Sequence, residues 1–174
     1  MKNYLFLSFL LFSVSSFAQL TTGLNFGIVK TNSGNVRGYQ SNGVYTYMGI
    51  PYATAKRFET AQKPKPWTEN RSTMTWGPVA PLLSPTTSVQ DETEWVFDHD
   101  FGYPNEDCLV LNVWTNGIND GKKRPVMFWI HGGGFTAGSS QELPSYHGEN
   151  LAKGGDVVVV SINHRLNILS FLDL

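Results

Sequence analysis

An α/β fold, with a small antiparallel meander leading into a mostly parallel central sheet, is the architecture this sequence predicts, on three observations. Residues 109–114, 126–130 and 157–162 are nearly continuous apolar runs of strand length, the pattern of strands buried on both faces of a sheet. The segment between the second and third runs is long enough for a crossover between parallel neighbours. Within it, residues 146–154 contain Leu151-Ala152-Lys153 and end at Gly154-Gly155, which suits one short helix.

In chain order, the first eighteen residues stand apart from the fold. Lys2 supplies a positive charge, residues 4–12 form a Leu/Phe-rich run broken only by Ser8, and small residues lead to Ser16-Phe17-Ala18 before Gln19. This is the layout of a secretory signal peptide cleaved after Ala18. The apolar run is far short of the roughly 20 residues a membrane span requires. The expectation is a secreted or periplasmic product. Residues 26–30, 35–40 and 44–49 are short β-type runs divided by Asn-Ser-Gly and Asn-Gly turn signals, hence the meander. Residues 51–101, rich in Pro, Thr and Trp without clear periodicity, read as irregular loop over a surface. Beyond the third apolar run, residues 166–174 begin an apolar segment with no polar cover. A buried-type strand left at a sheet edge tends to aggregate, so residues 19–174 are expected to be a domain incomplete at its C-terminal end.

Composition narrows the function. The chain has 13 Lys+Arg against 14 Asp+Glu, a formal net charge of −1, which offers no basic patch for a nucleic-acid partner. Aromatics make up 13% of it, five of them Trp, which fits a large globular core and argues against disorder. Cys108 is the only cysteine, so no disulfide can close within the chain. Lying between Asp107 and Leu109 at the start of an apolar run, it reads as a buried structural thiol. A reactive one would need a helix N-terminus or a basic neighbour. Asn70-Arg71-Ser72 is an acceptor pattern for N-glycosylation where the source glycosylates secreted proteins.

The chemistry enters at residues 125–135, P-V-M-F-W-I-H-G-G-G-F, an apolar strand running straight into Gly132-Gly133-Gly134. Ester hydrolysis passes through a tetrahedral intermediate that places negative charge on the former carbonyl oxygen. Fixed N–H donors aimed at that oxygen stabilise it, and losing one typically costs about 2.7–4 kcal/mol. Glycine permits backbone angles that turn successive N–H groups to one side, and it removes the Cβ from the path of the oxygen. A tight strand exit that binds nothing is the plainer alternative. A phosphate loop is not supported, because the chain contains neither G-x-x-x-x-G-K-[ST] nor G-x-G-x-x-G. It also contains no G-x-S-x-G, the turn that carries a serine nucleophile.

Five segments together are specific. Glu106-Asp107-Cys108-Leu109-Val110-Leu111-Asn112-Val113-Trp114 resembles the E-D-C-L-x-L-N-V signature of type-B carboxylesterases, the family that includes cholinesterases. Gly49-Ile50-Pro51-Tyr52-Ala53 resembles its G-I-P-Y-A motif, and Arg57-Phe58 with the Pro-Lys-Pro-Trp of 64–67 follows in family order, after a gap that looks shorter than usual. The 128–135 segment resembles its oxyanion segment, and 160–166 its V-x-x-N-Y-R-L. The resemblance implies the N-terminal portion of an α/β-hydrolase fold acting as a serine esterase through an acyl-enzyme. It implies oxyanion-hole N–H groups on Gly133 and Gly134, with the Ser, Asp/Glu and His expected beyond Leu174 in that order. The substrate implied is a small-molecule ester, with no metal or organic cofactor. A non-catalytic cholinesterase-like adhesion or binding domain is the alternative of another class, and an inactive truncated product is a third.

The resemblance also frames local features. Relatives often bridge the E-D-C-L cysteine to one that precedes a proline. Ala80 stands in that place, which leaves Cys108 free. Arg57 is expected to pair with Glu106. Arg165 matches an arginine whose acidic partner lies downstream, and is expected to be unpaired. His164 replaces the usual Tyr, and Asn167 and Ser170 replace glycines common in relatives. His131 adjoins the glycines but reads as a structural loop residue, because the family's general base comes from the far end of the sequence. His99, between Asp98 and Asp100, reads as solvated surface, since one His with two carboxylates in a loop makes a weak metal site. His147 and His164 carry no signal.

Overall fold

The computed structural model describes residues 20–82 and 102–172. The expected leader with its cleavage point, and His99 with Asp98 and Asp100, lie outside the described residues.

Among the described residues, nine strands form two sheets. The larger takes β1 (Leu20–Thr21), β4 (Tyr39–Ser41), β5 (Val44–Pro51), β7 (Val110–Thr115), β9 (Val158–Ile162) and β8 (Val126–Ile130), side by side in that order. The smaller takes β2 (Ile28–Lys30), β3 (Asn35–Arg37) and β6 (Arg71–Ser72). Two helices accompany them, α1 (Glu149–Gly155) and α2 (Ile168–Phe171). No helix among the described residues is long and apolar enough to cross a membrane.

The structure corrects four expectations. First, β8 and β9 are parallel, as their crossover allows, but β4–β5, β5–β7 and β7–β9 are antiparallel, so the sheet is mixed rather than mostly parallel. A continuous apolar run reports burial and says nothing of direction. The segment after β7 carries the chain past the neighbouring position, and β9 later fills it. Second, β8 is not buried on both faces: it forms the rim, with Val126 63% and Ile130 60% exposed. Third, the meander splits. Residues 35–40 divide at Gly38 into β3 and β4, which belong to different sheets. Fourth, residues 51–82 do not merely cover a surface. Thr73, Val79 and Ala80 are buried, and the Thr73 backbone bonds both sheets, donating to the Arg37 carbonyl at 2.9 Å and accepting from Met48 N–H at 2.8 Å.

The core sits where α1 lies against the sheet. Ala152 of α1 packs with Val44, Trp114 and Val159, and Trp76 and Val157 close the edges. A second cluster brings Ala80, Cys108 and Leu166 together. Cys108 is fully buried and free, and burial pushes its thiol pKa up to about 11. It is the inert thiol expected, and Ala80 lies beside it.

Polar groups join these apolar layers. Asn112, in the middle of β7, is 2% exposed and uses both ends of its amide. Its Oδ1 accepts from Gly49 N–H at 3.0 Å, and its Nδ2 donates to Ser140 Oγ at 2.9 Å and Ser161 Oγ at 3.1 Å. Gly49 sits at the irregularity in β5, at φ 65°, close enough to Gly77 that a Cβ would lie 3.0 Å from its nitrogen. Glycine is therefore required there for the N–H to reach Asn112.

A charged cluster fixes the approach to β8. Arg124, with a side chain only 7% exposed, donates to Asp156 Oδ1 at 2.7 Å and to both oxygens of Asp120, at 3.1 and 2.8 Å. Asp156 is the left-handed residue that ends α1, and Asn116 Nδ2 donates to the Ala152 carbonyl at 2.8 Å. The Arg124 guanidinium holds the Asp120 carboxyl down at a pKa of about 2.

Two outcomes follow. Asn112→Ala strands a buried N–H and two hydroxyls, and should cost about 3–4 kcal/mol in urea unfolding. Asp120 binds its proton more weakly folded than unfolded, so its contribution is present above about pH 4 and is lost as pH falls toward 2. Asp120→Asn should be less stable at neutral pH, with a shallower loss of stability between pH 4 and 2 than the unsubstituted chain.

Candidate active site

Parallel strands in register place their carboxyl ends together, and open α/β sheets bind ligands beyond such ends. Ile130 of β8 pairs with Ile162 of β9, and both strands then stop. A cleft of about 500 Å³ opens there. Ile130, Phe135, Ile162, Leu166 and Phe171 supply its apolar lining, and the Gly132-Gly133-Gly134 backbone, His131, His164 and Ser170 supply the rest.

The loop that leaves β8 is wound tightly. Gly133 has φ 123° and Gly134 φ 60°, and Phe135 continues at φ 67°. The Gly133 carbonyl accepts from Thr136 N–H, Ala137 N–H and Thr136 Oγ1, each at 3.1 Å. Among the described residues, neither the Gly133 nor the Gly134 N–H donates to a protein acceptor. The two glycines differ in their surroundings. A Cβ on Gly133 would lie 1.9 Å from the Ala137 carbonyl oxygen, whereas one on Gly134 would meet nothing within 4 Å.

Three ties hold the loop to the body. Asn167 N–H donates to the Phe135 carbonyl at 2.7 Å, and the Phe135 and Phe171 rings meet edge to face at 4.8 Å. Downstream, Ser140 N–H donates to Asn163 Oδ1 at 2.8 Å, while Asn163 Nδ2 donates to the Pro78 carbonyl at 2.9 Å. Asn167 has φ 49°. With ψ −139° it lies outside the left-handed helical region, in angles that favour glycine, and its Nδ2 is held by the Pro81 carbonyl at 2.9 Å.

His131 is 6% exposed and sits against the loop, its Nδ1 2.8 Å from the Gly132 carbonyl oxygen. Burial holds its pKa below the ordinary value, with neighbouring His164 a smaller cause in the same direction. The two rings are stacked, with centroids 4.6 Å apart and planes within 5°. The signal for His164 in the sequence is that both histidines come within two residues of the ends of paired strands. His147 instead packs on Trp76, with ring centroids 5.0 Å apart.

Arg57 and Glu106 do pair, with Arg57 Nε at 3.1 and 3.0 Å from the two Glu106 oxygens and Nη2 donating as well. The side chains are 61% and 35% exposed, so the pair is a surface clamp rather than a buried ion pair. Arg165 donates to the Glu59 carbonyl at 3.1 Å and so has backbone acceptors where it was expected to be unpaired. Among the described residues no three His, Cys, Asp or Glu side chains are placed to hold a metal ion.

The sequence profile of the Carboxylesterase family matches residues 25–174. The chain belongs to the carboxylesterase family. It is similar to the phenmedipham hydrolase of Pseudarthrobacter oxydans, at 40% identity over 83% of this chain and 29% of that protein. It is also similar to the para-nitrobenzyl esterase of Bacillus subtilis strain 168, at 38% identity over 84% and 29%. Among solved structures, an esterase of Clostridium hathewayi that can hydrolyse aliphatic aromatic polyesters superposes with a TM-score of 0.84 at 43% identity, over 91% of this chain and 31% of that one. The mixed sheet described above therefore matches the N-terminal part of esterases of the α/β-hydrolase fold, and the chain spans less than a third of the length of these relatives.

The two glycines should separate on substitution. Gly134→Ala, in open space at a left-handed φ, should cost about 1–2 kcal/mol. Gly133→Ala must also displace the Ala137 carbonyl, and should lower the urea midpoint well beyond that.

Proposed function

We propose that this chain is the oxyanion-binding portion of an exported serine esterase, with Gly133 and Gly134 as the N–H donors and the Ser, Asp/Glu and His triad supplied by sequence beyond Leu174. The observation that supports it most is the pair of positive-φ glycines whose N–H groups have no protein acceptor among the described residues, at the mouth of an apolar cleft. Such donors, fixed before the substrate arrives, stabilise the charge that develops on a carbonyl oxygen without reorganising during the reaction.

The apolar lining from Ile130, Phe135, Ile162 and Phe171 favours a carboxylic ester whose acyl or alcohol part is hydrophobic. This accords with relatives named for esters and polyesters. The triad serine attacks the ester carbonyl, the alcohol leaves, and water resolves the acyl-enzyme. An adhesion domain would have no use for unpaired N–H groups at this place. Residues 1–18 direct export, and the mature product begins at Gln19.

The experiment measures hydrolysis of p-nitrophenyl butyrate by the protein translated from the locus without interruption, and by the 174-residue chain alone. The longer protein should turn over with a burst of p-nitrophenol, and the chain alone should not exceed buffer. Gly134→Ala in the longer protein keeps the N–H but strains its positive φ and puts a Cβ beside the path of the substrate oxygen, and should lower kcat by mis-aiming the donor. Turnover by the isolated chain, or an unaffected kcat in Gly134→Ala, would sink the assignment.

A further inference from the structure

The cleft floor contains two imidazoles lying face to face, which ester chemistry as derived above does not require. His131 is the first residue after β8, and His164 follows β9 by two. The parallel register of Ile130 with Ile162 brings them together, with ring centroids 4.6 Å apart and planes within 5°. Each ring has Nδ1 against a backbone carbonyl, His131 on Gly132 at 2.8 Å and His164 on Arg165 at 3.0 Å. In a neutral imidazole this contact fixes the proton on Nδ1 and leaves Nε2 bare.

The acceptor of His131 matters because the Gly132 carbonyl and the Gly133 N–H belong to one planar peptide and point in opposite directions. Holding the oxygen aims the N–H. Gly138 closes the far side, where a Cβ would lie 2.5 Å from the Gly132 oxygen and 2.7 Å from His131 Nδ1. The His131 ring itself is steadied from its open face by the His164 ring.

We propose that His164 is a positioning residue: stacked on His131, it fixes the imidazole that orients the Gly132–Gly133 peptide, and it ties that orientation to the protonation of His131. The use of the oriented N–H in ester hydrolysis rests on the function proposed above; the orientation itself does not.

The neighbouring charges set the direction of the effect. Burial disfavours a charged His131, the hydrogen bond to the Gly132 carbonyl favours it, a charge on His164 opposes it, and the Glu142 carboxylate favours it; the net result is a lowered pKa. The Arg165 guanidinium is turned away toward the Lys56 and Glu59 carbonyls. Tyr52, whose hydroxyl donates to the Asn163 carbonyl, and Cys108 have pKa values raised to about 12 and about 11, so both are neutral throughout. Two imidazolium rings stacked face to face repel, which is why a charge on His164 is among the causes that hold His131 below its ordinary value. As pH falls through the lowered value of His131 the proton enters at Nε2: the Nδ1–H bond to the Gly132 carbonyl is kept, and repulsion between charged rings shifts the stack and the peptide held on it.

An NMR titration of this chain from pH 8 to 4.5 tests the proposal, following the imidazole Cε1–H signals of both histidines and the amide signals of Gly133 and Gly134. The Gly133 amide should move with the midpoint of His131, below about 6.5. His164→Tyr keeps a ring on the stack and removes the second charge. It should raise the His131 midpoint, and the Gly133 midpoint with it. A Gly133 amide that stays flat while His131 titrates would overturn the proposal, as would a His131 midpoint unmoved in His164→Tyr. The unsubstituted titration decides the matter even where the variant does not fold. Because no turnover is read, a failed esterase assignment and a failed histidine clamp give different results.

Discussion

Two buried asparagines hold the parts of this structure in one frame. Asn112 lies in β7 and Asn163 directly follows β9, each 2% exposed. Through them β5, the loop after β8, β9 and the backbone at Pro78 are all hydrogen-bonded to one another. Asn163 closes the set from its own backbone, donating to the Val110 carbonyl at 2.8 Å and accepting from the Tyr52 hydroxyl at 3.0 Å. Apolar packing alone would leave β7 and β9 free to slide, since one aliphatic contact substitutes readily for another. A buried amide with fixed partners does not tolerate a one-residue shift, because the donor would be left without water or acceptor.

This constraint reaches the glycine loop directly. Ser140 donates its N–H to Asn163 and receives a hydrogen bond from Asn112 through its hydroxyl. The downstream end of the loop is thereby fixed to the same frame that sets the register of the strands. Its upstream end leaves β8 at Ile130, where the register with β9 is already set. A loop clamped at both ends can sustain the positive φ angles of Gly133, Gly134 and Phe135, which a free segment would abandon.

How much of this was legible in the sequence varies by the kind of interaction. Strands β5, β7, β8 and β9 were legible because apolar runs and turn residues mark them locally. Strand direction was not, because β7 acquires its antiparallel neighbours from connections far away in sequence. The Arg57–Glu106 pair came through from family motifs and the burial of Cys108 from its place at the start of an apolar run; the low exposure of Arg124 did not, since its partners Asp120 and Asp156 look like ordinary surface acids. Asn112 left a readable trace. An amide flanked by Leu111 and Val113 inside an apolar strand must find partners, and only their identity needed the fold. The facing of His131 and His164 is a product of register, and no window of sequence contains both.

The same frame explains why the loop can combine tightness with open donors. Every conformational restriction on it comes from groups other than the Gly133 and Gly134 N–H: the Gly133 carbonyl is taken by Thr136 and Ala137, the Gly132 carbonyl by His131, and the Phe135 carbonyl by Asn167. The two peptides that carry the Gly133 and Gly134 N–H groups are thus anchored by their oxygens, which leaves those N–H groups without an acceptor among the described residues. A loop anchored through its N–H groups would be equally rigid and chemically silent. Anchoring by the carbonyls gives rigidity and leaves donors available to an oxygen that comes from outside, and it asks of the sequence only small residues at the turn and acceptor-seeking side chains on the strands that surround it.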